Sequence, residues 1–353
     1  MIEEAARLIG RRTLLAAACA CCAAPLAHAQ RRADPFDVEA REYLGTPQTE
    51  AAVRRGLDYL ASRMQADGHW ASGNYSVDAA VSGLCTLAFL SAGHQPGRGK
   101  YGEMLNKAVD WLADSVQRNG LVGRGGSAGP PMYGHGFATL CLAELYGMTR
   151  RSDLRPKLES AIQLIVRTQN AEGGWRYQPQ VADADISVTA VQLVALRAAH
   201  NAGVKVPTAT VKRAINYIKR CANNGDGGFS YQINQRGSGP ARTGAAVTCL
   251  MLSGERNSPE CKGGVTYLQE HPIERYEWMY RQHYMYALYY CTQAMYQVGG
   301  KPWRDWFVTL RERLLASQSS DGSWNDTPGP EYATAMAVLA LQVPAGLLPI
   351  YQK

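Results

Sequence analysis

Two kinds of hydrophobic pattern alternate along the chain. Segments such as "TEAAVRRGLDYLASRM", "LRPKLESAIQLIVRTQ" and "TATVKRAINYIKRCA" place apolar residues three and four apart with charges between them. That spacing predicts helices with one wet face. Each is followed, after a short polar turn, by a segment almost free of charge: "AAVSGLCTLAFLSAG", "ISVTAVQLVALRAAHNAG", "TGAAVTCLMLSG", "YATAMAVLALQVP". A helix apolar on every face is buried on every side. Strand signals are nearly absent. Counting the less regular copies gives six segments of each kind, which predicts two concentric rings with the charge-poor helices inside.

The turns between paired helices repeat. "MQADGHW" (Met64–Trp70), "QNAEGGW" (Gln169–Trp175), "NNGDGGF" (Asn223–Phe229) and "QSSDGSW" (Gln318–Trp324) each set a glycine two residues before an aromatic. The aromatics are separated by one or two periods of about fifty residues, the signature of a repeat architecture. Two further copies are expected near Gln117 and Gln269. An open solenoid needs polar caps on its terminal repeats, yet "YATAMAVLALQVP" is as apolar as the central copies. The pattern therefore predicts an all-α fold, an α/α toroid (α6/α6 barrel) of six helical hairpins over residues 49–353.

The N-terminus stands apart from this pattern. "GRRTLLAAACACCAAPLAHAQ" joins a twin arginine (Arg11, Arg12), a short apolar stretch and the small-residue site Ala27-His28-Ala29. This is the layout of a twin-arginine export signal over residues 1–29, followed by a linker over 30–48. A lipid anchor on Cys19, Cys21 or Cys22 fits the preceding residues poorly. An exported, periplasmic or cell-envelope protein is expected, with no stable membrane span because no later apolar run is long enough.

Composition changes little. Removing residues 1–29 takes away three Arg and two Glu, which lowers the formal charge from +7 to +6. The excess is scattered without a basic run, so nucleic acid is not an expected partner. Cys85, Cys141, Cys249 and Cys291 fall inside apolar segments and read as small hydrophobes. Cys221 and Cys261 lie at element ends, where pairing is left open by the sequence. No metal-ligand spacing and no cofactor motif is present after the signal.

The glutamine–aromatic turns, the paired helices and "DISVTAVQLVAL" together resemble the prenyltransferase and squalene-oxidase repeat family. That family includes squalene–hopene cyclases and protein prenyltransferase β-subunits. "MYGHGFATLCLAELYGMTR" and "YYCTQAMYQVGG" strengthen the likeness to short, exported, single-toroid bacterial members. The resemblance implies that the Gln–Trp repeats stitch outer helices to neighbouring inner ones. It also implies an isoprenoid-type lipid as ligand. The cyclases of this family protonate an alkene or epoxide with an aspartic acid in a D-x-D-D-T-A segment. Aligning that T-A on Thr189-Ala190 puts Asp185 at the first acid, Ser187 at the proton donor and Val188 at the last acid. A serine hydroxyl is far too weak an acid for an alkene. The prenyltransferases' Asp-x-Cys zinc pair is absent as well, so no metal site is expected.

Candidate site residues follow from polarity. If the inner helices run the same way, their N-termini meet at one mouth. Asp78, Tyr133, His135, Asp183, Asp185, Ser187, Arg242, Thr243, His283, Tyr284, Tyr286, Glu331 and Tyr332 lie there. Asp185, Asp183 and His135 are the catalytic candidates. Tyr133, Ser187, Arg242, His283, Tyr286 and Tyr332 are the substrate-binding candidates. Capping explains the two aspartates equally well, and a helix-end hydrogen bond explains His135. An isoprenoid enzyme or carrier, a binding or scaffold toroid, and an α/α-barrel polysaccharide lyase all remain open. They differ in what lines the barrel.

Overall fold

The computed structural model describes residues 44–75, 77–124, 129–180, 183–275 and 283–352. The export signal expected over residues 1–29 and most of the linker expected over 30–48 lie outside the described residues. The described residues form six hairpins of an outer and an inner helix: α1 (Pro47–Arg63) with α2 (Ala79–Ser91), α3 (Gly102–Asp114) with α4 (Pro131–Thr149), and α5 (Leu154–Thr168) with α6 (Ile186–Asn201). The second half holds α7 (Thr208–Arg220) with α8 (Pro240–Leu252), α9 (Pro259–Glu270) with α10 (Tyr284–Val298), and α11 (Gly300–Ser317) with α12 (Pro330–Gln342). Only isolated bridges, and no strand, occur among the described residues. Each inner helix packs on the next, and α12 packs on α2. The ring is closed.

Burial follows the two patterns. In α2 every residue but Ala80 is buried, and in α12 every residue but Pro330 and Gln342. The outer helix α1 buries one stripe that includes Val53, Leu57 and Leu60. Among the described residues no helix is long and apolar enough to cross a membrane.

The repeated turn is a three-way joint. Its tryptophan indole donates back to the hairpin's own outer helix: Trp70 Nε1 to the Leu60 carbonyl (2.7 Å), Trp175 Nε1 to Ile165 (2.7 Å) and Trp324 Nε1 to Leu314 (2.8 Å). The aromatic's backbone N–H donates to a hydroxyl in the first turns of the inner helix. Trp70 reaches Ser82 Oγ (3.2 Å), Trp175 reaches Thr189 Oγ1 (3.1 Å), Phe229 reaches Thr243 Oγ1 (3.0 Å) and Trp324 reaches Thr334 Oγ1 (3.0 Å). The glutamine ties the turn forward. Gln169 Nε2 donates to Gly173 O (2.7 Å) and to Thr210 O on α7 (2.9 Å). The stitch therefore joins the outer helix to its inner helix through the aromatic, as the family likeness implied, and to the next outer helix through the glutamine. Gly173 holds φ +101°, and a Cβ there would collide with the Arg213 carbonyl of α7. Only glycine combines that φ with so close an approach.

Of the two further copies, Val116–Val122 is present. Gly120 has φ +84°, and Val122 takes the aromatic's place. The copy expected near Gln269 is replaced by a 3-10 turn, Ile273–Arg275; residues 276–282 lie outside the described set. The end of the chain packs Ile350 and Tyr351 among Thr248, Leu252, Gln293 and Gln297, in the C-terminal halves of α8 and α10. Cys221 and Cys261 are buried and unpaired.

Candidate functional site

A cavity of about 600 Å³ opens at the mouth where all six inner helices begin. Its wall repeats one register position, two residues before the side chain that receives the turn's N–H, a hydroxyl in four hairpins and the His135 imidazole in the second. Ala80, Tyr133, Ser187, Ala241 and Tyr332 occupy it in five hairpins, and Tyr286 supplies the fifth. Loops complete the wall with Tyr75, Gly129, Tyr177, Tyr231 and Pro328, and Phe137 lies one helical turn further in. Among the described residues, six tyrosines and a phenylalanine thus face the space. Asp78, Arg242 and His283 contribute the charged and titratable groups.

The same loops fasten the mouth. The Tyr177 carbonyl accepts the Met132 N–H (3.1 Å) and the Tyr231 carbonyl accepts the Ile186 N–H (3.0 Å), so each loop holds the start of the preceding inner helix. Asp326 Oδ2 does this for Met285 (2.7 Å) and Ser72 Oγ for Tyr332 (3.2 Å). The Tyr177 and Tyr231 hydroxyls bond each other at 2.6 Å. The Arg176 guanidinium sits over both rings, 5.1 and 5.8 Å from their centroids.

The substrate-binding candidates converge. Tyr133, Ser187, Arg242, His283, Tyr286 and Tyr332 all line the cavity. Burial raises the Tyr133 phenol well above its ordinary pKa, with the neighbouring Tyr286 and Asp185 adding to the shift. Tyr286 moves the same way, again through burial. These phenols are neutral donors and acceptors, and not bases, near neutral pH. Ser187, 7% exposed, stands beside both.

The three catalytic candidates do not reach this space. Asp185 is fully buried as the N-cap of α6, its Oδ1 accepting the Val188 N–H at 2.9 Å. Burial lifts its carboxyl to about pKa 6, against the pull of the Val188 N–H, Tyr231 and Arg176. Asp183 is a half-exposed partner of Arg176 outside the wall. His135 is the second hairpin's substitute for the serine or threonine that receives the turn: its Nδ1 accepts the Val122 N–H at 3.1 Å. Burial drives its pKa down to about 3, so the ring stays neutral. The next residue, Gly136, is packed against Val191 and Gln192 of α6, which leave no room for a Cβ there.

Several wall residues escaped the sequence reading. Tyr177 and Tyr231 both stand two residues after the turn aromatic, at Trp175 and Phe229, and that shared offset is the signal that marks them. Among the described residues no group of three His, Cys, Asp or Glu is placed to hold a metal ion.

The architecture is that of a closed α/α toroid with an aromatic cavity at the N-terminal ends of its inner helices. Residues 136–284 match the squalene-hopene cyclase C-terminal domain. The chain is a squalene cyclase-like toroid. Among solved structures, the type II terpene cyclase MstE from Scytonema is similar at 14% identity, with 86% of this chain and 100% of that chain covered and a TM-score of 0.55. A protein from Actinoplanes is 18% identical over 84% of this chain and 99% of that one, with a TM-score of 0.60. The GH76 α-mannanase of Bacteroides thetaiotaomicron is 9% identical, covering 87% and 98%, with a TM-score of 0.58. Such likenesses define the fold alone. Among curated proteins none matches the sequence.

Proposed function

We propose that the chain is an exported toroid that binds an isoprenoid-type lipid in the mouth cavity and does not cyclise it. The observation that carries this reading is the wall itself. Among the described residues, seven aromatic rings border about 600 Å³, with Arg242 and His283 as polar groups beside them. That volume and that mix of apolar faces with a few polar anchors suit a small-molecule site. Aromatic faces bury hydrocarbon and attract positive charge, whereas the scaffold reading would leave the mouth filled.

Turnover by protonation lacks its acid. The register position that looks into the cavity on α6 carries Ser187, where the family likeness places the proton donor. Asp185 lies behind the wall as a helix cap, and the Asp78 Oδ1 is engaged by the Ala80 and Val81 N–H groups at 2.7 and 3.4 Å. Loss of a general acid typically costs about 10²–10⁴-fold.

A saccharide ligand is the second reading, favoured by the phenol-bearing wall and Arg242 at an open mouth. Mass spectrometry of small molecules that co-purify with the protein from its native envelope tests the two together. An isoprenoid in the extract is the expected result; an oligosaccharide without lipid would replace the first reading by the second.

A further inference from the structure

We infer that Phe137, backed by Tyr289 and Tyr351, is a floor that limits how long a hydrocarbon chain the mouth cavity accepts; this rests on the isoprenoid reading above. On the inner helices the wall residues lie in the first turn, with one exception. Phe137 follows Tyr133 by four residues, which puts it on the same face of α4 one turn deeper. Its ring is 3% exposed and meets Tyr289 edge-on, with centroids 6.3 Å apart and planes at 68°.

Behind that contact the barrel is filled. Tyr289 packs on Tyr290 at 5.0 Å, and both rings are 1% exposed. The Tyr289 hydroxyl pairs with that of Tyr351, whose ring is buried near the C-terminus of the chain. The Tyr351 carbonyl in turn accepts Gln297 Nε2 at 3.5 Å. A ligand chain that enters from the mouth therefore stops at Phe137, because the rings behind it are anchored to one another and to the end of the chain. Close-packed aromatics do not yield space without loss of those contacts.

The consequence is a length preference set by one side chain. Each methylene taken into new apolar space strengthens binding roughly fourfold. Affinity should climb with chain length until the chain meets Phe137, and fall for probes too long to seat above it. The test titrates the purified protein with geraniol, farnesol, geranylgeraniol and squalene, following tyrosine and tryptophan fluorescence. The Phe137→Ala variant should move the optimum to a longer probe by at least one step in this series. Phe137→Leu, which keeps most of the packing should Phe137→Ala fail to fold, should move it in the same direction by less. Tyr75→Ala, at the mouth, should weaken all probes alike without moving the optimum. Binding by the wild type with an optimum unmoved in a folded Phe137 variant would overturn the floor alone. Failure of the wild type to bind any of the four would overturn the isoprenoid reading and the floor together.

Discussion

The Gln318 side-chain amide donates to the Ala52 carbonyl at 2.9 Å, and so joins the last turn of the chain to its first outer helix. The same amide reaches Gly322 O at 2.9 Å, and a Cβ on Gly322 would collide with the Arg55 carbonyl of α1. Every element of the joint between Gln169 and α7 recurs here across the ends of the sequence. The toroid is therefore closed by the rule that builds it, and not by a special contact.

Equal joints should have equal energies. Gln318→Ala and Gln169→Ala each remove a side chain that satisfies two carbonyls, for an expected loss of about 1–3 kcal/mol apiece. Urea unfolding followed by circular dichroism measures both. An open solenoid would lose little at Gln318, so a loss there well below that at Gln169 would argue against closure.

Asp185 is expected to behave as a cap. Asp185→Ala should cost about 0.5–2 kcal/mol, while Asp185→Asn, which still caps, should cost little. Its pKa of about 6 lies above the ordinary value of 3.8, so above pH 6 the folded state holds a carboxylate that burial disfavours. Asp185→Asn removes that penalty and should match or exceed the wild type at pH 7. Ligand binding at the mouth should survive both changes. Loss of binding with unchanged melting would give Asp185 a direct part in the site.

Glu144 gives the fold a pH dependence above neutrality. Its carboxyl, 3% exposed on α4, is raised by burial from 4.5 to about 8, opposed only by the Ile350 backbone. Between about pH 6.5 and 8 the folded state keeps this proton and the unfolded chain does not, so stability falls as pH rises, by up to about 1.4 kcal/mol per pH unit. His135, neutral down to about pH 3, has the opposite slope but contributes only below its unfolded value of 6.5. Melting temperatures across pH 6.5–8 should decline in the wild type and flatten in Glu144→Gln. Parallel curves would mean that Glu144 is ionised in the fold.

The rings and joints were legible because they are written in local chemistry. A charge-free segment beside an amphipathic one declares which helix is inside, and a glycine two residues before tryptophan marks a turn that needs positive φ. The copy at Val116–Val122 was placed by period alone, since Val122 carries no aromatic signal. The site was legible only on the helices. Tyr133, Ser187 and Tyr332 were found because helix starts are easy to locate, whereas Tyr75, Tyr177 and Tyr231 sit in loops whose direction depends on the neighbouring hairpin. His135 shows the same dependence on neighbouring structure. Its role is that of Ser82 and Thr189, a buried acceptor for a turn N–H, and an imidazole in that position looks like chemistry when read along a single chain.

If the mouth cavity holds an isoprenoid and Ser187, in the place of the acid, leaves it unchanged, the protein should carry the lipid without converting it. The most direct test is to incubate the purified protein with squalene and with geranylgeraniol, re-isolate it, and analyse the organic extract by gas chromatography with mass detection. Geranylgeraniol should be recovered with the protein, chemically intact, and neither substrate should yield a cyclic product above a heat-killed control. Cyclic product above that control, or an extract free of isoprenoid, would contradict this reading.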